Sequence, residues 1–149
     1  MLSRSFAAIA LVCSLAAALD AGRAWADCTL DDHAAAGKSV SNICKACHEF
    51  AADKPSRATG PNLHEVYGSV AGSRDDFKSY SEGMKGAHDK GVKWDDQTLF
   101  DYIADPKGFL DKVNGHEVGH AMSFQLRDEQ KRKDVIAFLA AIKGKAECN

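Results

Sequence analysis

The chain changes pattern twice along its length. It opens with a continuous apolar run, Phe6 to Leu19, preceded by Arg4 and followed by Ala24-Trp25-Ala26. After that the apolar positions become sparse and recur at helical spacing. Asp31 or Asp32 is placed to cap a first helix through HAAAGKSVSNICKAC. A stretch bearing glycine and proline follows, EFAADKPSRATGPN, with a short helical turn expected at His64 to Tyr67. SYSEGMKGAH predicts another short helix, begun by Ser79 or Ser81, with Met84 at the spacing of a core residue. WDDQTLFDYIADP predicts a clear one, capped by Asp95 or Asp96, with Leu99, Tyr102 and Ile103 on one face. Asp105-Pro106 stops it and suits the start of the next, since proline is favoured in a first helical turn. A glycine-marked loop is expected from Lys112 to Phe124. Asp128 then caps a last helix, whose apolar stripe is Val135, Ile136, Phe138, Leu139 and Ile142. Strand patterns are poor. The expectation is an all-α chain of four to five short helices joined by long loops.

The opening run is too short for a membrane span, which needs about 20 apolar residues. A positive start, an apolar centre and an A-x-A site describe a secretory signal peptide. We therefore divide the 149 residues into a signal over 1–26, cleaved after Ala26, and a single domain over 27–149. The formal charge is −2, with no basic excess to neutralise phosphates, so nucleic-acid binding is not expected. Acidic residues predominate up to Pro106 and basic ones after it, a mild dipole able to steer a charged partner.

Short helices and long loops leave such a chain poor in core. A large apolar cofactor would supply the missing surface. Cys44-Lys45-Ala46-Cys47-His48 names one. Cys-x-x-Cys-His is the attachment signature of a c-type haem. Its two thiols can each bond one vinyl group on the same porphyrin edge, and the adjacent imidazole reaches the iron. A redox-active Cys-x-x-Cys would want a βαβ context. A zinc site would want a second ligand pair. A Cys44–Cys47 disulfide would close almost no loop. For the sixth iron position the candidates are Met84, Met122, His64, His88, His116 and His120. Met122 sits in a loop far enough along the chain to reach the other face of a haem. His120 and His116 are its rivals, and a second imidazole would give a lower potential than a thioether.

These pieces, with GPNLHEVYG at Gly60–Gly68, YSEGMK at Tyr80–Lys85, WDDQTLFDYIADPK at Trp94–Lys107, AMSF at Ala121–Phe124 and RKDVIAFL at Arg132–Leu139, stand in order. Together they resemble the class I cytochromes c, specifically the soluble bacterial type similar to mitochondrial cytochrome c. The resemblance implies one covalently bound haem c wrapped in a single-domain cytochrome c fold. It implies thioether bonds at Cys44 and Cys47, with His48 and Met122 as iron ligands. The Pro61 carbonyl would accept from the His48 ring, Tyr80 and Trp94 would face a propionate, and Tyr102 would lie beside the methionine sulfur. The first and last helices would cross, with Val135 and Phe138 near Gly37.

The implied function is that of a periplasmic, monomeric single-electron carrier, not an enzyme. Its partners would be a bc-type complex or dehydrogenase as donor, and an oxidase, reaction centre or reductase as acceptor. The alternative is an open or switchable iron for gas sensing or weak peroxidase chemistry, should Met122 not bind, with Gly115 and Gly119 loosening its loop. Three features depart from the family. Ser69 stands where a basic residue often meets a propionate, with Arg74 as a substitute. Ala121 stands where lysine is common, leaving Lys45, Lys85, Lys107 and Lys112 to form a docking rim. Finally, the loop from Lys107 to Met122 is longer than in the mitochondrial type. Cys28 and Cys148 lie outside the shared pattern. Crossing terminal helices would bring them together, so a Cys28–Cys148 disulfide is expected.

Overall fold

The structure, a computed structural model, describes residues 28–148. The segment read as a signal peptide, 1–26, lies outside the described residues. Among the described residues five α-helices form in chain order: α1 Asp32–Val40, α2 Glu82–Asp89, α3 Asp96–Ala104, α4 Pro106–Asn114 and α5 Glu129–Ile142. Each starts where a polar side chain meets an otherwise unsatisfied N–H. Asp31 accepts from Ala34, Ser81 from Met84, Asp95 from Thr98, Asp105 from Gly108 and Asp128 from Lys131. Thr98 returns the favour to Asp95, completing a capping box.

Three local expectations need correction. The first helix does not run as α-helix to Cys47. It tightens to a 3₁₀ segment over Ser41–Ala46. Ser41 turns its hydroxyl onto the Gly37 carbonyl at 2.7 Å. The motif then winds so that both Cys47 and His48 donate to the Cys44 carbonyl. Residues 64–67 form hydrogen-bonded turns rather than helix, with Val66 donating to Leu63 and the Ser69 hydroxyl to Val66. The loop expected from Lys112 begins later, because α4 continues to Asn114 and ends at Gly115, whose φ of 80° is left-handed. One small strand contact was not foreseen. Val70 and Lys93 form an isolated antiparallel bridge.

α1 and α5 cross at Gly37. A Cβ there would lie 1.9 Å from the Asp134 carbonyl oxygen and 2.9 Å from the Phe138 Cβ. The crossing thus needs glycine, and its nearest atoms belong to Asp134 and Phe138. Phe138, Leu139, Ile142 and Val135 of α5 form the core with Phe50, Trp94, Leu99 and Leu110. The two ends of the described residues meet in the Cys28–Cys148 disulfide, with Cα atoms 5.0 Å apart. Among the described residues no helix is long and apolar enough to cross a membrane.

One ion pair ties the crossing helices. His33 Nδ1 lies 2.8 Å from Asp134 Oδ1, and Gln130 also donates to that carboxylate. The hydrogen bond and charge of Asp134 raise the His33 pKa above 6.5, while His33 and Gln130 lower that of Asp134 below 3.8. A raised histidine contributes stability below its unfolded pKa and loses it as pH climbs through the folded one. A depressed aspartate contributes above its unfolded pKa and loses it as pH falls. The pair is therefore complete in mildly acidic solution. The melting temperature is expected to fall between about pH 6 and about pH 8 in the wild type, and less steeply in His33→Gln. Parallel melting curves across that range would contradict the pair's role.

Candidate functional site

α3, α5, the Cys44–His48 turn and the loop between α4 and α5 enclose a cavity of about 410 Å³. Its apolar walls include Phe50, Leu99, Ile103, Val135 and Leu139. A volume of this order is typical of a cofactor site. Every residue singled out from the sequence lines it: Cys44, Cys47, His48, Pro61, Tyr80, Trp94, Tyr102 and Met122.

His48 is held from two sides. Its Nδ1 lies 2.8 Å from the Pro61 carbonyl oxygen, so this ring nitrogen carries the proton and donates. Nε2 keeps its lone pair. Burial lowers the His48 pKa, against the opposing effect of the Pro61 carbonyl, and Arg57 lowers it further. A neutral imidazole with one tied nitrogen is the form that binds a metal. Gly60 makes room for the ring: a Cβ at that position would lie 2.6 Å from His48 Cε1. The strap is fixed in turn, as Thr59 donates to the Cys47 carbonyl and Arg57 N–H to the Gly60 carbonyl. Burial raises the pKa of the half-buried Cys44 thiol, and Cys47 is exposed. This donor set fits a covalently attached haem. Two thiols flank one wall, an oriented imidazole lies beside them, and the space is apolar.

Trp94 and Tyr102 are fixed by an aromatic cluster. Their ring centroids are 4.9 Å apart, and Phe109 packs on both at 5.8 and 5.7 Å. Burial pushes the Tyr102 hydroxyl pKa far up, so it stays protonated as a donor. Tyr80 accepts from the Arg74 N–H at 3.2 Å and packs edge-on against Phe77. A second, polar cleft shares Pro61, Val66, Tyr80 and Trp94 with the cavity and adds Ser69, Arg74, Asp75 and Asp76. Arg74 thus lines the polar cleft beside Tyr80 and Trp94. It is anchored there by Asp76, whose carboxyl also accepts from Ser56 N–H and hydroxyl and is held far below the usual carboxylate range.

The other candidate histidines lie outside the cavity lining. His64 is buried beside Glu65, with its Nδ1 2.7 Å from the carboxylate. His88 contacts the Ala71 carbonyl. His116 and His120 are exposed and do not line the cavity. Met84 does line it, from α2, although its spacing had marked it as ordinary core. Of the two glycines expected to loosen the loop, Gly115 ends α4 and Gly119 is pinned, its carbonyl accepting from Gly83 N–H at 3.0 Å. Of the lysines considered for a docking rim, Lys107 is paired with Asp111 and Glu117. Lys45, Lys85 and Lys112 are exposed.

No family model matches the chain. Individual relatives do. Cytochrome c2 of Cereibacter sphaeroides is 36% identical over 114 residues, covering 72% of this chain and 92% of that protein. Cytochrome c-550 of Novispirillum itersonii is 39% identical over 111 residues, covering 74% and 98%. Among solved structures, cytochrome c2 from Paracoccus denitrificans superposes with a TM-score of 0.68 at 34% identity, covering 76% of this chain and 98% of that one. The cavity that gathers Cys44, Cys47 and His48, the cytochrome c fold around it and relatives matched over nearly their whole length place the chain in the cytochrome c2 family, the class I bacterial cytochromes c that carry electrons on one covalent haem c.

Proposed function

We propose that this chain shuttles single electrons between redox complexes in the periplasm, that His48 and Met122 would hold the haem iron, and that Cys44 and Cys47 would carry the thioether bonds. One observation carries the reading. The Cys-x-x-Cys-His turn and Met122, distant in sequence, converge on one apolar cavity in which His48 is already oriented by Pro61.

When bound, haem supplies an iron that accepts and releases one electron. The protein does the rest. Pro61 keeps the His48 proton on Nδ1, so Nε2 is free to bind. A Met122 thioether on the iron would favour the ferrous state more than a second imidazole would. Phe50, Leu99, Val135 and Leu139 exclude water, which disfavours the extra charge of the ferric form. Tyr80 and Trp94 lie at the junction of cavity and polar cleft, where they would donate to a propionate.

The partner face is the rim beside the motif. Ile43 is 56% exposed there, next to Lys45, while Ala121 and Ser123 rim the loop side. With Lys107 paired internally, this face is less basic than one with a full lysine rim. It suits brief encounters with a bc-type complex or dehydrogenase as donor, and with an oxidase, reaction centre or reductase as acceptor.

The test is an optical spectrum of the holoprotein. The reduced form is expected to show the sharp α-band of haem c, and the oxidised form the weak far-red band of methionine sulfur on ferric iron. Met122→Ala should abolish the far-red band, lower the midpoint potential and allow carbon monoxide to bind the reduced protein. Met84→Leu should leave the band in place. A band that survives Met122→Ala and disappears in Met84→Leu would transfer the ligand role to α2.

A further inference from the structure

Arg132, on α5, is 5% exposed. Its guanidinium lies over the Phe100 ring, 4.1 Å from the centroid, and Nη1 donates to the Leu126 carbonyl at 2.7 Å. Nε is buried with no hydrogen-bond partner. Among the described residues no carboxylate pairs with it. A guanidinium in this position is costly, because a charge has left water without a counter-charge and one donor is unmet. Methionine or leucine would fill the space more cheaply. The arginine must therefore hold something that an apolar side chain cannot.

What it holds is the exit of the loop that carries Met122. That loop is fastened at its entry by two contacts, Val118 N–H to Asp111 Oδ1 at 2.9 Å and Gly83 N–H to the Gly119 carbonyl at 3.0 Å. From residue 120 to 125 the backbone makes no hydrogen bond to other backbone of the described residues. The Gln125 side chain donates to Asp105 Oδ1 at 3.2 Å, and the next backbone fastening is Leu126. Its N–H donates to the Ile103 carbonyl at 2.9 Å, and its own carbonyl receives Arg132. Leu126, Ile103 and Met122 all line the cavity. Met122 therefore sits in the middle of a span without backbone bonding, whose far end is pinned at Leu126 from two helices.

We propose that Arg132 is the latch of this loop, a positioning residue that acts through Leu126 to keep Met122 in place against competing small ligands. The proposal rests on the reading of Met122 as the distal ligand. Without the latch, the span swings out more often. A small neutral nitrogen donor can then take the position at the iron.

Imidazole titrated into the ferric holoprotein, followed by loss of the far-red band, tests this. Arg132→Met keeps the bulk and removes the donor. It is expected to bind imidazole about ten- to a hundredfold more tightly than wild type, the worth of one charge-assisted hydrogen bond. Arg132→Lys should fall between, since an ammonium can still reach the carbonyl but lacks the flat fork that lies on Phe100. The double variant Cys28→Ser/Cys148→Ser serves as a control for general destabilisation, because neither cysteine lines the cavity. It should melt earlier with imidazole affinity unchanged. Wild-type affinity in Arg132→Met, or an equal rise in the control, would overturn the latch. If Arg132→Met does not fold, Arg132→Lys decides by the same comparison, an affinity above wild type supporting the latch and an unchanged one sinking it. A wild-type ferric protein with no far-red band would instead overturn the Met122 assignment, and the latch with it.

Discussion

Replacing both Cys28 and Cys148 by serine is expected to lower the unfolding free energy by about 4–5 kcal/mol while leaving the spectrum unchanged. The bond joins residues separated by 120 positions. Loop-closure entropy grows only slowly with length, but a loop this long reaches the upper part of the range for one cross-link. Most of the loss comes from the unfolded chain, whose ends become free. A smaller part comes from the folded tail. Beyond α5 it is held by Lys145 N–H on the Ile142 carbonyl, by Cys148 N–H on Lys145 and by a 3.4 Å contact from Lys38 Nζ to the Cys148 carbonyl. None of these would hold the segment alone. Urea titration of both holoproteins measures the difference. A loss under about 1 kcal/mol would mean that packing of the ends suffices and that the cross-link constrains little.

The same disulfide shows what could be read from the sequence. Nothing in the spacing of Cys28 and Cys148 pairs them. The pairing became visible only once a crossing of the first and last helices was expected. The attachment motif was legible because covalent chemistry dictates it: two thiols must meet one porphyrin edge, so their separation is fixed. α3, α4 and α5 were legible because Asp95, Asp105 and Asp128 announce their starts. Gly115 was read as part of a loop, yet it is the left-handed stop of α4, and the helix runs up to it. The 3₁₀ winding of Ser41–Ala46 has no marker in residue type, since it follows from where the motif must deliver His48. Met84 shows the limit of periodicity. A position facing the interior looks the same whether the interior is side chains or a cofactor cavity. Arg132 was hidden for another reason. It sits in a run of charged residues, EQKRKD, and only the fold separates the buried arginine from the exposed lysines around it.

Gly37→Ala is expected to be the most damaging single substitution that touches no site residue. Helix propensity alone favours alanine by about 1 kcal/mol at an interior helical position. Packing opposes it. The added methyl would lie 1.9 Å from the Asp134 carbonyl oxygen, 2.4 Å from its carbon and 2.9 Å from the Phe138 Cβ. Two of these atoms are backbone of α5 and the third is fixed to it, so no rotamer relieves the contact. The helices must move apart. Overpacking of a core commonly costs about 1–3 kcal/mol and can exceed this, and contact with backbone belongs at the upper end, so a net loss of about 2–3 kcal/mol is expected. The displacement also reaches the cavity, because Val135 and Leu139 of α5 line it. The far-red band should weaken along with stability.

Gly86→Ala is the matched comparison. Its methyl would meet Asn114 Oδ1, also at 1.9 Å, but that atom ends a rotatable side chain. Asn114 can swing away, giving up its bonds to the Gly83 and Leu110 carbonyls, and the propensity gain offsets part of that loss. Urea titrations of the two variants should therefore differ by more than about 1 kcal/mol, with Gly37→Ala the weaker. Equal losses would mean that Asn114 is as immovable as the α5 backbone. A wild-type midpoint for Gly37→Ala would mean that α1 and α5 can separate without cost, and the close crossing could not then be what holds the two ends of the chain over the haem.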